Sequence, residues 1–208
     1  MIETEEQARM FCAERCESAA MERLTSFLPL LVSENERQNL VSRASLECIW
    51  KRHIADSLQL LDHVPRETDN WLDLGTGAGF PGLVLALARP GTRITLVESR
   101  KRRVEWLEYV RKKFSLEKCI VLGSRLESVE TVEAGVITAR AFAPLDKLLE
   151  LSARFSTRST VWLLPKGRNG ANELSEQPAA IRKMFHVEQS ETDLSAGILV
   201  GKGRPELR

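Results

Sequence analysis

The sequence predicts an α/β fold: a mostly parallel sheet covered by helices, with a helical extension at its amino end and an antiparallel edge at its carboxyl end. Three observations carry this. The first 65 residues contain no glycine, and their apolar residues recur at three- and four-residue steps. From residue 70 short apolar runs alternate with longer amphipathic segments, the pattern of a parallel sheet with crossover helices. Close to the carboxyl end, two strand-like runs follow one another with no helix between them, which places an antiparallel hairpin at one sheet edge.

The elements follow in order. Phe11, Leu24, Phe27, Leu28 and Leu31 mark the apolar side of the first helices, and no strand is predicted before residue 70. A third helix is predicted over about residues 46–63, with Ile49, Ile54, Leu58, Leu60 and Leu61 on its apolar side and Pro65 ending it. Residues 1–66 are thus a helical extension packed on the core, and residues 67–208 the α/β domain, the two forming one structural unit. Strands are predicted at 71–74, 93–97, 119–122, 136–138 and 160–164, with helices at 81–88, 101–114 and 144–155. The hairpin strands are placed at 185–187 and 197–201. Before them, residues 167–178 read as a polar, mobile loop with Gly167, Gly170 and two asparagines.

Composition narrows the function classes. With 208 residues, 43% of them apolar and 28% charged, the chain has the balance of one globular domain and is too apolar for a disordered one. The longest apolar runs, at 27–32 and 83–88, fall far short of the ~18 residues that span a bilayer. The start is acidic where a secretory leader would be basic, so a cytoplasmic protein is expected. Cys12, Cys16, Cys48 and Cys119 do not form a disulfide framework and lack a second ligand pair for zinc, so buried thiols and no metal are expected. His63 and His186 stand alone. The net charge of +1 hides a division: residues 1–70 hold 8 basic and 13 acidic side chains, residues 71–208 hold 22 and 16. The stretch 98–113 carries seven basic residues against three acidic ones, which suits a solvated helix face or a surface for a polyanion.

The chemistry concentrates in Asp73-Leu74-Gly75-Thr76-Gly77-Ala78-Gly79-Phe80-Pro81-Gly82, between the first strand and the first helix of the α/β part. Glycines allow close backbone approach, and a helix start offers free N–H groups, so this loop suits a nucleoside-bearing cofactor at the carboxyl end of the sheet. Two cofactors fit the spacing. Gly77, Gly79 and Gly82 satisfy a dinucleotide fingerprint, whereas Gly75, Gly77 and Gly79 suit S-adenosylmethionine. Register favours the second, because the fingerprint starts two residues late and leaves Asp73 beside the loop, where a carboxylate opposes a pyrophosphate but tolerates an ammonium and a sulfonium. Glu98, ending the second strand, is placed to accept both ribose hydroxyls of either cofactor, or else to pair with Arg100 or Arg102. The loop Gly123-Ser124-Arg125-Leu126-Glu127 reaches the same sheet end, where Glu127 and backbone N–H groups can meet an adenine edge.

These residues resemble the bacterial 16S ribosomal RNA guanine-N7 methyltransferases of the RsmG (GidB) family over nearly the whole chain. The resemblance rests on Asn39-Leu40, Arg52-His53-Ile54-Ala55-Asp56-Ser57-Leu58, the 73–82 loop, Lys101-Arg102-Arg103, Ser124-Arg125-Leu126-Glu127, Arg140-Ala141-Phe142-Ala143 and Leu164-Pro165-Lys166-Gly167, in which Pro165 departs from the family's pattern. The glycine loop is generic, whereas the Arg-His-x-x-Asp-Ser-Leu and Arg-Ala-Phe-Ala motifs are specific. The resemblance implies a class I, Rossmann-like S-adenosylmethionine-dependent methyltransferase fold that modifies a guanosine in the decoding-region loop of 16S RNA. It also implies that Gly75, Phe80, Leu126, Glu127 and Arg140 contact S-adenosylmethionine. Asp73, Gly77, Gly79 and Glu98 are added on general grounds for this fold class, S-adenosylhomocysteine being the product. The expected partner is 16S RNA or the 30S subunit, met by a monomer.

Guanine N7 carries a free lone pair at neutral pH, so methyl transfer to it requires no general base, and catalysis rests on orientation and electrostatic fit. Arg140 and Lys166, each just past a predicted strand, are the candidate catalytic residues, set to meet guanine O6 or a nearby phosphate. Arg100, Lys101, Arg102, Arg103, Arg111, Lys112, Lys113, Lys202 and Arg204 are the candidate RNA contacts. Arg52, His53 and Asp56 share one helix face and read as a packing cluster joining extension to domain. Three rivals stay open: an NAD-dependent oxidoreductase, a non-catalytic RNA-binding module, and a methyltransferase for a small molecule or protein.

Overall fold

The computed structural model describes residues 1–206. Its centre is a seven-stranded sheet in the order β3-β2-β1-β4-β5-β7-β6. The strands are β1 (Trp71–Leu74), β2 (Ile94–Val97), β3 (Cys119–Leu122), β4 (Val136–Ala139), β5 (Val161–Lys166), β6 (Phe185–Gln189) and β7 (Gly197–Lys202). The first five are parallel, and β7 runs antiparallel to both β5 and β6. Each predicted strand is present, and the hairpin closes the predicted edge. The chain order reverses between β1 and β4, so a crevice opens above their carboxyl ends.

Helices cover both faces. On one side lie α1 (Glu5–Arg15), α2 (Ser18–Gln38) and α3 (Arg43–Leu46), followed by a mixed helical segment. That segment, predicted as one regular helix, is a π-helical stretch at Trp50–Ala55, one α-helical turn α4 at Asp56–Leu58 and a 3-10 stretch at Gln59–His63. Its start is held from outside, because Glu5 of α1 accepts the N–H groups of Trp50 and Lys51 at 2.9 and 2.8 Å. The wider turn carries Arg52 and His53 beside Asp56.

The extension does not stand apart from the sheet. Leu24, Phe27 and Leu31 of α2 belong to one apolar cluster with Leu83 and Leu87 of α5 (Gly82–Ala88), Trp106 and Val110 of α6 (Lys101–Lys113), and Trp71 and Leu96 from the sheet. Phe27 meets the rings of Phe80 and Trp106 at centroid distances of 6.4 and 5.9 Å. A second cluster fills the other face, where α7 (Leu145–Ser152) contributes Leu148 and Leu149 against Trp162 and Leu164.

Two expectations are corrected. Residues 167–178 are not a plain loop: they contain α8 (Gly170–Ser175), and α9 (Ala179–Met184) follows. Gly170 lets the chain pass the base of Lys166, since a Cβ there would lie 2.6 Å from Lys166 Cβ. Among the cysteines, Cys12 and Cys119 are buried as expected, with burial pushing both thiols up to about 12, whereas Cys48 is exposed and Cys16 half-buried. No helix among the described residues is long and apolar enough to cross a membrane, and no group of three or more His, Cys, Asp or Glu residues is disposed to hold a metal ion.

Candidate active site

The glycine loop leaves β1, turns through positive φ at Gly75, Gly77 and Gly79, and enters α5 at Gly82. Asp73 braces it from behind. Its carboxylate is fully buried, accepting the Gly82 N–H at 2.9 Å and the Thr138 hydroxyl at 2.8 Å. Burial raises its pKa to about 6, against the lowering effect of the neighbouring Thr76 and Thr138 hydroxyls, the Gly82 N–H and the Arg140 charge. Asp73 therefore lines no cavity, which corrects its assignment as a cofactor contact: it fastens loop, strand and helix together.

The loop's donors correct a second expectation. The first N–H groups of α5 are not free for a phosphate, because Gly82 donates to Asp73 while Leu83 and Val84 donate to Gly79 O. A dinucleotide fingerprint needs these groups for its pyrophosphate. This loop is closed to that use by its own hydrogen bonds. The charge of Asp73 does not choose between the two cofactors, since that carboxylate sits behind the loop.

A cavity of about 300 Å³ lies beyond Gly75, lined also by Glu98, Arg100, Arg103, Ser124, Leu126, Glu127, Ala141 and Phe142. Glu98 is 5% exposed, its Oε1 accepting the N–H groups of Ser99 and Arg100 and its Oε2 that of Gly77 at 3.1 Å. Its charged neighbour is Arg103, at 3.8 Å, rather than Arg100 or Arg102. The absent Cβ of Gly75 matters, since one built there would stand 2.4 Å from the Phe142 ring. A shelf without a side chain, a nearly buried carboxylate at the end of β2 and the apolar Leu126 fit the adenosine part of S-adenosylmethionine.

A larger cavity, about 930 Å³, adjoins it on the β4 and β5 side, and the two share Ala141 and Phe142. Its walls bring together three distant parts of the chain: Arg52, His53 and Asp56 from the extension, Arg140 just after β4 with Lys166 at the end of β5, and Thr192 and Asp193 from the β6–β7 turn. Arg140 donates to Asp56 Oδ2 at 3.1 Å and to the Arg52 carbonyl at 3.3 Å, approaches His53 Nδ1 at 3.2 Å, and stands over the Phe80 ring. A guanidinium has only donors, so His53 accepts at Nδ1 and carries its proton on Nε2. Asp56 also accepts from Thr192 and Gln59, and Arg52 pairs with Asp193 at 2.8 Å. Lys166, 11% exposed, pairs with Glu173 of α8 at 2.8 Å.

The match to a model of "rRNA small subunit methyltransferase G" spans residues 20–197 of this chain. The chain belongs to that family. Proteins named ribosomal RNA small subunit methyltransferase G are 63% identical to it in Erythrobacter litoralis, over 98% of this chain and 99% of that one, and 52% identical in Novosphingobium aromaticivorans, over 97% and 89%. Solved structures confirm the fold: a methyltransferase from Geobacter sulfurreducens superposes with a TM-score of 0.60 at 16% identity, covering 85% of this chain and 87% of that one. An S-adenosylmethionine-dependent methyltransferase from Aquifex aeolicus gives 0.57 at 14%, covering 80% and 96%.

Within this member of the methyltransferase G family, the predicted site residues divide. Gly75, Glu98, Leu126 and Glu127 line the smaller cavity, Arg140 and Lys166 the larger. Gly77 reaches the site through its N–H on Glu98, whereas Gly79 is packed on Leu83 and Phe80 is 3% exposed, stacked on His53 at 4.5 Å. Gly79 and Phe80 thus shape the loop and line neither cavity.

The candidate RNA contacts divide too. Arg100, Lys101 and Arg102 are exposed at the start of α6, near the cleft, while Arg103 turns in toward Glu98. Helix α6 returns antiparallel to the strands, so Arg111, Lys112 and Lys113 stand at the opposite, amino edge of the sheet, ~18 Å from its start at 1.5 Å per residue. Arg111 is paired there with Glu108 at 2.9 Å. Lys202 pairs in register with Val161, at the start of β5, so it and Arg204 share that far edge. These five basic residues do not border the cleft; Arg52 lines the larger cavity and the exposed Arg125 the smaller, and the exposed Arg168 lies in sequence between Gly167 and Asn169, which line the larger. Sequence reading also passed over Thr138 and Glu173, the first a polar residue inside an apolar strand and the second placed in a supposed loop.

Proposed function

We propose that this chain transfers a methyl group from S-adenosylmethionine to N7 of a guanosine in the decoding-region loop of 16S ribosomal RNA. The observation that carries the reading is the pair of adjoining cavities at the sheet's switch point, in a member of the methyltransferase G family. Glu98, with Gly75 and Gly77, holds the ribose; Leu126 and Glu127 receive the adenine; the Phe142 side of the cleft faces the larger cavity, where the target base enters. When bound, S-adenosylmethionine supplies an electrophilic methyl group on a sulfonium.

The residues of this chain orient and do not move protons. N7 attacks with its own lone pair, so the reaction requires no nucleophile–base dyad. Arg140, held from three directions, defines the wall against which the base settles, and proximity of this kind supplies up to ~7–11 kcal/mol of barrier lowering. Arg100, Lys101, Arg102, Arg125 and Arg168 hold the flanking phosphates, so affinity for the subunit falls with salt. One copy of the chain acts alone, in the cytoplasm, on the small subunit or its RNA.

The test is incubation with labelled S-adenosylmethionine and small subunits from a strain lacking the activity, followed by mapping of the label. Label on N7 of one decoding-region guanosine supports the reading; label on another base, or none, refutes it.

A further inference from the structure

Three carboxylates line the larger cavity, and their hydrogen bonds are unequal. Asp56 is engaged at both oxygens, Oδ1 by Thr192 and Gln59 and Oδ2 by Arg140. Asp193 is engaged at both, by Ser195 and by Arg52. Glu173 uses only Oε2, which accepts from Lys166 Nζ at 2.8 Å and from the Leu145 N–H at 3.1 Å. Its Oε1 accepts nothing among the described residues. Lys166 Nζ in turn donates a single hydrogen bond and has two N–H groups in hand. Among the described residues, Glu173 is thus the one carboxylate of this cavity with an oxygen that accepts nothing, and it stands beside an ammonium with N–H groups in hand.

Guanine and adenine differ at that kind of site. The Watson–Crick edge of guanine sets an acceptor, O6, beside a donor, N1–H; adenine sets a donor, the 6-amino group, beside an acceptor, N1. A base taken out of the stack is read on this edge. Phe142, Lys166 and Glu173 all line this cavity, so a purine presenting N7 at Phe142 and the smaller cavity has its O6 and N1 available to the Lys166–Glu173 pair. The opposite order on adenine would meet ammonium with amine and carboxylate with a lone pair.

We propose that Glu173 is the specificity-determining residue for guanine, accepting N1–H at Oε1 while Lys166 donates to O6. This rests on the proposed N7 methylation and adds to it the selection of the base. It also explains why α8 folds back over the end of β5: the helix delivers a carboxylate beside the lysine, and Gly170 leaves room for the lysine stem.

The test uses the full chain and small subunits reconstituted with 16S RNA carrying guanine, hypoxanthine, 2-aminopurine or adenine at the methylated position. Hypoxanthine keeps O6 and N1–H; 2-aminopurine and adenine lack both. The wild type is expected to methylate guanine and hypoxanthine at rates within about tenfold and to reject the other two. Glu173→Gln keeps a carbonyl oxygen for Lys166 and Leu145, so the fold and S-adenosylmethionine affinity are retained. With that oxygen held by Lys166 and Leu145, the amide NH2 faces the base and meets guanine N1–H donor to donor, so the preference for guanine over 2-aminopurine is expected to fall about 10- to 100-fold. An unchanged preference in Glu173→Gln, however far its overall rate drops, overturns the proposal and leaves Glu173 as a brace for α7. Wild-type methylation of 2-aminopurine as fast as guanine overturns it too, while leaving N7 methylation intact. Failure of the wild type on all four bases sinks N7 methylation itself, and this proposal with it.

Discussion

Replacing His53 with phenylalanine separates the electrostatic from the packing role of the residue beneath Arg140. His53 is 6% exposed, stacked on Phe80, and its Nε2 has no hydrogen-bond partner among the described residues. Burial, then the positive charges of Arg140 and Arg52, lower its pKa from 6.5 to about 3. The unfolded chain therefore takes up the proton first, so this contribution to stability is complete above about pH 6.5 and is lost as the pH falls toward 3. Between about pH 7.5 and pH 5 the loss through this one group amounts to about 2 kcal/mol. Because pH 5 lies well above the native pKa, the unfolded-state value alone fixes that figure. Asp73 works in the opposite sense: its raised pKa makes the folded form bind a proton first, and stability is lost as the pH climbs from 3.8 to about 6. That contribution is common to both proteins and cancels between them. Urea unfolding followed by tryptophan fluorescence at the two pH values is the assay. His53→Phe should lose about 2 kcal/mol less than the wild type on acidification. Equal losses in the two proteins would show that His53 is protonated in the fold or faces solvent, and would refute the buried neutral assignment.

Other outcomes follow from the same geometry. Gly75→Ala places a Cβ at φ +61° and against Phe142, so S-adenosylmethionine affinity by calorimetry should drop at least about tenfold while strain lowers stability by about 1–2 kcal/mol. Glu98→Gln keeps an oxygen for the Ser99 and Arg100 N–H groups but turns an amide NH2 on the Gly77 N–H and removes the charge beside Arg103; binding of the same ligand should weaken about tenfold or more, with stability lowered by about 1–3 kcal/mol. Phe27→Ala, in the extension, should cost about 3–5 kcal/mol and keep one cooperative unfolding transition, because its ring packs in the core shared with the sheet. Two transitions would show the extension to be a separate unit.

The fold was legible because its determinants are local. Apolar runs such as Ile94 to Val97 alternate with amphipathic helices, and a parallel sheet needs both faces covered. The segment 167–178 was misread because its polar composition resembles a loop, while the helix there is held by contacts outside it, among them Glu173 with Lys166 at the end of β5 and with the more distant Leu145. The π-helical turn escaped for the same reason, since the Glu5 carboxylate that holds it lies some 45 residues away. In the site, Gly75 and Glu98 could be placed from position alone, one just past a strand and one at its end. Asp73 could not, because a carboxylate at a strand end can face the cleft or the core, and only the placement of Gly82 and Thr138 decides which. The basic residues of α6 look continuous in sequence, yet a helix thirteen residues long carries its two ends to opposite edges of the sheet.

The bracing carboxylate behind the glycine turn has one more consequence. With Asp73 fastened at once to its own strand's neighbour and to the head of the following helix, the turn is frozen before any visitor arrives. Little ordering entropy is left to lose on contact, so the nucleoside should be captured as readily by the lone enzyme as by the enzyme bound to its RNA substrate. Loading and docking should then be independent events, with cofactor affinity by calorimetry unchanged when the RNA substrate is added.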